Sequence, residues 1–247
     1  MNLMQRISRL PSFLVGSTLQ TRATFDKVLK FPQDQKGATL MFVPGAFCTS
    51  SVMNPLMRKL YGMGYNVVAP ADFPYYVGPL ANMAPLEQCA RSLLKDILWA
   101  KAERNLKSLW LIGHSNGGLI SLLALDIAEK EGRKEVLNLV KGVITMGTPF
   151  KGTDVAVLAQ VAVPCCRDIK PGAAILDRIA LKKDWIKLSL QSAGDFLVPP
   201  ENQYPDGVTP VSLAGFQHMD FYVGGDEKVT LTASKIKECL DENNTQS

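Results

Sequence analysis

Apolar runs alternate with stretches of helical periodicity along this chain. The runs predicted as strands are residues 38–43, 66–69, 108–112, 142–146, 186–190 and 211–215. Helices are predicted over 51–61, 84–104 and 228–240, with a further helix after residue 117. Alternating strands and helices are typical of an α/β fold, so we predict a mostly parallel central sheet of about six strands flanked by helices.

The pattern divides the chain into an N-terminal leader, residues 1–37, and one domain, residues 38–247. Residues 1–25 contain three arginines and no acidic residue, and their only unbroken apolar run, 13–16, is too short for a signal-peptide core or a membrane span. Three alternatives stay open: a basic amphipathic helix making peripheral membrane contact, an organelle-targeting segment, and a leader that packs on the domain or frays from it. Localisation therefore stays open, between cytoplasmic, membrane-peripheral and organellar, without a clear secretory signal.

Composition excludes several functional classes. The 247 residues carry a net charge of +4 and no Lys/Arg-rich cluster, which argues against a nucleic-acid partner. The five cysteines are odd in number and show no C-x-x-C spacing, so neither a disulfide framework nor a zinc site follows. We expect no metal and no cofactor.

Residues 113–117 read Gly-His-Ser-Asn-Gly and lie between a predicted strand and a predicted helix. This placement of G-x-S-x-G is the pattern of a nucleophile elbow, a turn so tight that its flanking residues must be small. It predicts Ser115 as a nucleophile, and the alternative is an ordinary turn. A nucleophilic serine also needs a base, an orienting acid and an oxyanion hole.

The base has few alternatives, because the chain has only two histidines. His114 is adjacent to Ser115, and its side chain is expected to leave the turn in a different direction from Oγ. His218 follows the last predicted strand, at the sheet edge where catalytic groups gather. An unperturbed imidazole pKa of about 6.5 suits proton transfer near neutrality, so we predict His218 as the base.

An orienting acid should follow an earlier strand. Asp195 is the first carboxylate after the fifth predicted strand, and a carboxylate there can accept the Nδ1–H of His218. The chain order Ser115, Asp195, His218 is the one expected of this elbow geometry. Asp220 is the main rival and Asp206 a weaker one.

The oxyanion hole requires two backbone N–H donors. One is expected from Asn116, directly after the nucleophile, and the other from the loop 44–47 after the first strand. We expect Gly45 to permit a sharp bend there, which leaves the N–H of Ala46 as the donor. An ordinary strand-ending turn is the alternative.

The segment 151–184 is too long and too apolar for a plain turn. It is interpreted as the crossover helix of a parallel strand pair, as a lid or cap over the site, or as both. The loop that carries Phe73, Tyr75 and Tyr76 is expected to line an acyl pocket with it.

Together these residues resemble the α/β-hydrolase superfamily, specifically its bacterial-type lipases and esterases, over about residues 38–240. Four segments carry the resemblance: the loop 44–47, the elbow 113–118, the segment 147–153, and residues 194–199 before His218. Two positions depart from the pattern: the loop begins Pro-Gly where that group usually has His-Gly, and Phe150 stands where the family often has His. The calcium site of some members is not carried over, because no matching aspartate pair is found.

The resemblance implies a serine hydrolase of carboxylic esters that works through a Ser-His-Asp triad and an acyl-enzyme, on small-molecule or lipid esters. A thioesterase, an acyltransferase and a deacylase of lipid anchors are alternatives with the same triad. A non-catalytic binding protein on the same scaffold is a further alternative.

Overall fold

The computed structural model describes residues 30–70, 82–161 and 163–244. The leader segment 1–25 and the aromatic residues Phe73, Tyr75 and Tyr76 lie outside the described residues, so the expectations about them stay predictions. No helix in the described ranges is long and apolar enough to cross a membrane.

The centre of the molecule is a six-stranded sheet with the order β2-β1-β3-β4-β5-β6, in which every neighbouring pair is parallel. The strands are β1 (Thr39–Val43), β2 (Asn66–Val68), β3 (Leu109–His114), β4 (Val140–Met146), β5 (Ile186–Ser192) and β6 (Val211–Leu213). The predicted fold class is confirmed. The last predicted strand was too long, because the chain turns at Gly215 with a φ of +73°.

Helices cover both faces of this sheet. They are α1 (Asn54–Gly62), α2 (Leu86–Arg104), α3 (Asn116–Lys130), α4 (Lys134–Leu137), α5 (Asp154–Ala159), α6 (Pro164–Asp168), α7 (Ala174–Ala180), α8 (Asp220–Val223) and α9 (Asp226–Asn244). Short 3-10 turns span Ser50–Met53, Lys183–Trp185 and Pro200–Asn202. The segment 151–184 thus contains three short helices and a 3-10 turn rather than one crossover helix.

The central strands β1 and β3 are buried on both faces because helices cover both faces of the sheet. In β1, Met41 and Val43 belong to the core beneath α2 and α3, whereas Leu40 and Phe42 belong to the core beneath α1 and α9. Successive side chains of a strand point to opposite faces, so this alternation follows from the strand period of two. The apolar run that predicted β1 therefore contributes side chains to two separate cores.

The parallel sheet brings its strand ends together. The carboxyl ends of β1, β3, β4, β5 and β6 lie at one edge, where these strands end at Val43, His114, Met146, Ser192 and Leu213. The loops that follow them carry the residues predicted from the sequence to be functional. This edge is where open α/β sheets place their ligands.

Candidate active site

Ser115 occupies the turn between β3 and α3 with a φ of +51° and a ψ of −125°. A non-glycine residue rarely adopts a positive φ, and holding one there costs on the order of 1–3 kcal/mol. The surrounding structure must impose this conformation. It does so through close packing of the start of α3 against the ends of the strands.

Three glycines make that packing possible. A Cβ on Gly117 would lie 2.0 Å from the carbonyl oxygen of Val43, and one on Gly113 would lie 2.5 Å from the nitrogen of Gly118. A Cβ on Gly118 would lie 2.2 Å from Oγ1 of Thr148, in the loop after β4. The small residues flanking Ser115 are thus required by close contact with backbone and with Thr148.

His218 and Asp195 form a buried pair next to this turn. Nδ1 of His218 lies 2.6 Å from Oδ2 of Asp195, and the two residues are 6% and 1% exposed. A carboxylate only accepts hydrogen bonds, so Nδ1 carries the proton and Nε2 is left as an acceptor. The imidazole is therefore held in the tautomer that a general base requires.

Asp195 is fixed by four further donors. Oδ1 accepts the backbone N–H groups of Leu197 at 2.9 Å and Val198 at 3.0 Å. Oδ2 accepts the Ser192 hydroxyl at 2.8 Å and Nε2 of Gln203 at 3.2 Å. Asp side chains commonly bond the backbone two residues on, so the contact with Leu197 follows a local pattern. No sequence signal pointed to Ser192 or Gln203.

His114 makes a different set of contacts from those of His218. Its Nε2 lies 2.8 Å from the backbone oxygen of His218, and because a carbonyl only accepts, Nε2 carries the ring proton. The Tyr222 hydroxyl lies 3.2 Å from Nδ1. Burial, and secondarily the nearby His218 ring, holds the pKa of His114 well below its usual value. This neutral ring supports the His218 backbone.

The two rival carboxylates are paired elsewhere. Asp220 accepts the backbone N–H of Gln217 at 2.7 Å and Nζ of Lys228 at 2.5 Å. Asp206 is exposed and pairs with Nζ of Lys151 at 2.8 Å. Asp195 is thus the carboxylate of the three that contacts the His218 ring.

The loop after β1 passes directly over the elbow. The positive φ of this loop, +60°, belongs to Phe47 and not to Gly45. Gly45 has a different role: a Cβ there would lie 2.8 Å from the Cβ of Ser115 and 3.2 Å from the His114 carbonyl oxygen. The loop needs glycine at 45 for close approach.

Ser115 and His218 line one cavity of about 380 Å³, together with both predicted oxyanion donors, Ala46 and Asn116. The rest of its wall is mostly apolar and consists of Phe47, Cys48, His114, Pro149, Thr153, Val155, Ala156, Cys166, Ile169, Leu197, Val198 and Met219. Helices α5 and α6 contribute Val155, Ala156 and Cys166, so the segment 151–184 forms part of the wall. Its interpretation as a lid or cap over the site stays a prediction.

The described ranges contain no group of three or more His, Cys, Asp or Glu residues arranged to hold a metal ion. The five cysteines are buried as free thiols.

Solved structures of similar architecture are known. A lipase of Bacillus licheniformis in its mature form matches with a TM-score of 0.64 at 16% identity, over 87% of this chain and 96% of that one. Est1E of Butyrivibrio proteoclasticus with bound ferulic acid matches with a TM-score of 0.59 at 18% identity, over 85% and 92%. A monoacylglycerol lipase of Paleococcus ferrophilus matches with a TM-score of 0.57 at 17% identity, over 86% and 99%.

No protein-family model matches the sequence, and no curated protein matches it at a significant level. These three matches cover 85–87% of this chain and 92–99% of the matched chains, which include lipases. At these identities the likeness establishes the architecture. The chain has the α/β-hydrolase fold.

Proposed function

We propose that this protein is a serine hydrolase that cleaves carboxylic esters through a Ser115-His218-Asp195 triad. The observation that carries the proposal is the hydrogen bond between His218 and Asp195 beside a strained Ser115 on the wall of one cavity. The lipases and esterases among the structural neighbours support the same reaction class.

In the first half of the reaction, Oγ of Ser115 attacks the acyl carbonyl carbon while Nε2 of His218 takes the hydroxyl proton. The carbonyl oxygen becomes an oxyanion that accepts hydrogen bonds from the N–H groups of Ala46 and Asn116. Asp195 stabilises the imidazolium and does not itself become protonated. When the tetrahedral intermediate collapses, the imidazolium proton goes to the leaving alcohol, and an acyl-enzyme ester remains on Ser115.

In the second half, water replaces the alcohol. Nε2 of His218 takes a proton from the water, whose oxygen attacks the acyl carbonyl in the same oxyanion hole. Collapse returns the proton to Oγ of Ser115 and releases the carboxylic acid. The cycle restores both side chains and needs no metal or cofactor.

The residues of the cavity wall favour a substrate with a neutral, apolar acyl group. No Asp, Glu, Lys or Arg side chain from the described residues lines it. Each buried methylene contributes about 0.8 kcal/mol, so an apolar wall favours alkyl over charged acyl groups. We therefore propose small-molecule or lipid esters with medium-length acyl chains as substrates. A thioester substrate or an alcohol acceptor in place of water would use the same residues.

A panel of p-nitrophenyl esters of rising chain length tests this proposal. Wild type is expected to hydrolyse them, and Ser115→Ala is expected to lose about 10⁶-fold in kcat. Ser212→Ala, an exposed serine on β6, serves as the matched control and is expected to keep full activity. Labelling by a fluorophosphonate should vanish in Ser115→Ala alone. Equal turnover by wild type and Ser115→Ala would exclude the mechanism.

Thioester analogues and an added alcohol acceptor distinguish an ester hydrolase from a thioesterase and from an acyltransferase. An acyltransferase would convert the acyl-enzyme to a new ester faster than to the acid. A thioesterase would prefer the thioester of the same acyl chain in kcat/KM. Absence of labelling and of turnover on all of these substrates would favour a binding protein.

A further inference from the structure

Asn82 makes its polar side-chain contacts with the loop that passes over the elbow. It is 1% exposed, and its Nδ2 lies 2.8 Å from the carbonyl oxygen of Pro44 and 3.1 Å from that of Gly45. Both partners are acceptors, so the amide nitrogen must face them. The Oδ1 of Asn82 makes no hydrogen bond within the part of the chain that the structure describes.

These contacts fix the orientation of a peptide group in that loop. The carbonyl of Gly45 and the N–H of Ala46 belong to the same peptide unit, and in a trans peptide they point in opposite directions. None of the described peptide bonds is cis. A side chain that holds the Gly45 oxygen therefore directs the Ala46 N–H to the opposite side, and Ala46 lines the cavity with Ser115.

The same contacts also strengthen the donor. A hydrogen bond to a carbonyl polarises the whole amide, so the N–H of that peptide becomes a better donor. The second bond, to Pro44, fixes the preceding peptide unit as well. Two successive peptides are thus held by one side chain.

The segment that directly follows Asn82 is anchored to α6. The Met83 carbonyl accepts the backbone N–H of Cys165 at 3.0 Å, and the Leu86 N–H donates to Oδ2 of Asp168 at 2.7 Å. Both partners lie in α6. Asn82 has a φ of +61°, in the left-handed region that asparagine tolerates better than most residues.

We propose that Asn82 is a positioning residue of the oxyanion hole, acting through the Gly45–Ala46 peptide. This inference rests on the proposed function, since it assigns the Ala46 N–H to a developing oxyanion. It predicts that losing the Asn82 amide weakens binding of the tetrahedral state more than binding of the substrate.

Asn82→Asp tests the proposal, because aspartate keeps the shape and also tolerates a left-handed φ but places oxygen against both carbonyl groups. We expect kcat to fall by about 10- to 100-fold with KM within about threefold, since a misplaced donor loses part of its effect. Affinity for an alkyl boronic acid, which forms a tetrahedral adduct with serine, should fall by a similar factor. Asn105→Asp is the matched control, because Asn105 is exposed and has a φ of +48° at the end of α2.

Asn82→Gly provides a second variant that suits the left-handed φ and lacks the amide, and it should show the same split between kcat and KM. Unchanged kcat in both variants, or a fall in kcat with unchanged boronic acid affinity, would overturn the role of Asn82. Ser115→Ala is measured beside them. If Ser115→Ala stays active, the proposed function fails. If Ser115→Ala loses activity while both Asn82 variants keep normal activity, only the positioning role of Asn82 is rejected.

Discussion

Nε2 of His114 donates to the backbone oxygen of His218 at 2.8 Å, although 104 residues separate the two. The two rings also lie close, with centroids 4.7 Å apart. One histidine therefore positions the loop that carries the other. Burial keeps the His114 ring neutral, because a second ring proton would be buried beside His218 and Tyr222.

The first prediction is that folding stability falls in mild acid because of His114. Its pKa is low in the folded state and about 6.5 when unfolded, so only the unfolded chain binds this proton as the pH drops below about 6.5. Between pH 7 and pH 5 this costs up to about 2 kcal/mol, at 1.36 kcal/mol per unit. Urea titrations at both pH values measure it, and His114→Gln should show a smaller difference.

His218→Gln is the control for that experiment, since it retains His114 and should retain the acid sensitivity. In proton NMR, the His114 ring signals should not titrate between pH 7.5 and pH 5. Titration of His114 near pH 6.5 in the folded protein would contradict this account of the pair.

The second prediction distinguishes Asp195 from Asp220 as the carboxylate that orients His218. Asp195→Asn should lower kcat for a p-nitrophenyl ester by about 10⁴-fold, because asparagine no longer fixes the Nδ1–H tautomer of His218. Asp220→Asn makes the same change two residues from His218, at a carboxylate paired with Lys228, and should keep activity within about threefold. Circular dichroism and thermal unfolding confirm that both variants are folded. A similar loss in both variants would count against Asp195 as the orienting acid.

The sequence was sufficient to predict the sheet, because most of its strands stand out as short runs rich in apolar residues. Their limits shifted by a few residues where a turn such as Gly215 ends pairing. The elbow, His218 and Asp195 could be placed together because parallel strands end at one edge. That reasoning uses only the parallel direction of the strands and needs no distances.

Contacts between distant segments were not predictable. Gln203 and Asn82 lie in loops without any periodic pattern, and each acts through partners that only the folded chain brings near. The close approach of Gly45 to the elbow was not predictable for a related reason: a glycine can serve a positive φ or a close approach, and the sequence does not distinguish them. The positive φ falls on Phe47 instead.

The third prediction concerns the packing that holds Ser115. Gly117→Ala places a methyl group 2.0 Å from the Val43 carbonyl oxygen, which is backbone and cannot easily move. We expect a loss of about 3 kcal/mol or more in the free energy of unfolding, or failure to fold. Gly62→Ala is the control, because no atom lies within 4 Å of its added Cβ. At the end of α1 it should be neutral or slightly stabilising, and equal losses in both variants in urea titrations would reject the packing argument.

The fourth prediction concerns the cavity wall. Ala156 of α5 is 1% exposed and lines the cavity, so Ala156→Phe fills part of the acyl space. We expect kcat/KM for a p-nitrophenyl octanoate to fall by more than about tenfold while the acetate changes by less than about threefold, since each methylene excluded from an apolar pocket costs about 1–3 kcal/mol. Val157→Phe is the matched control, because Val157 is the next residue of the helix and is 45% exposed. Parallel losses on both esters would mean that Ala156 supports the fold of α5 and does not bound the acyl site.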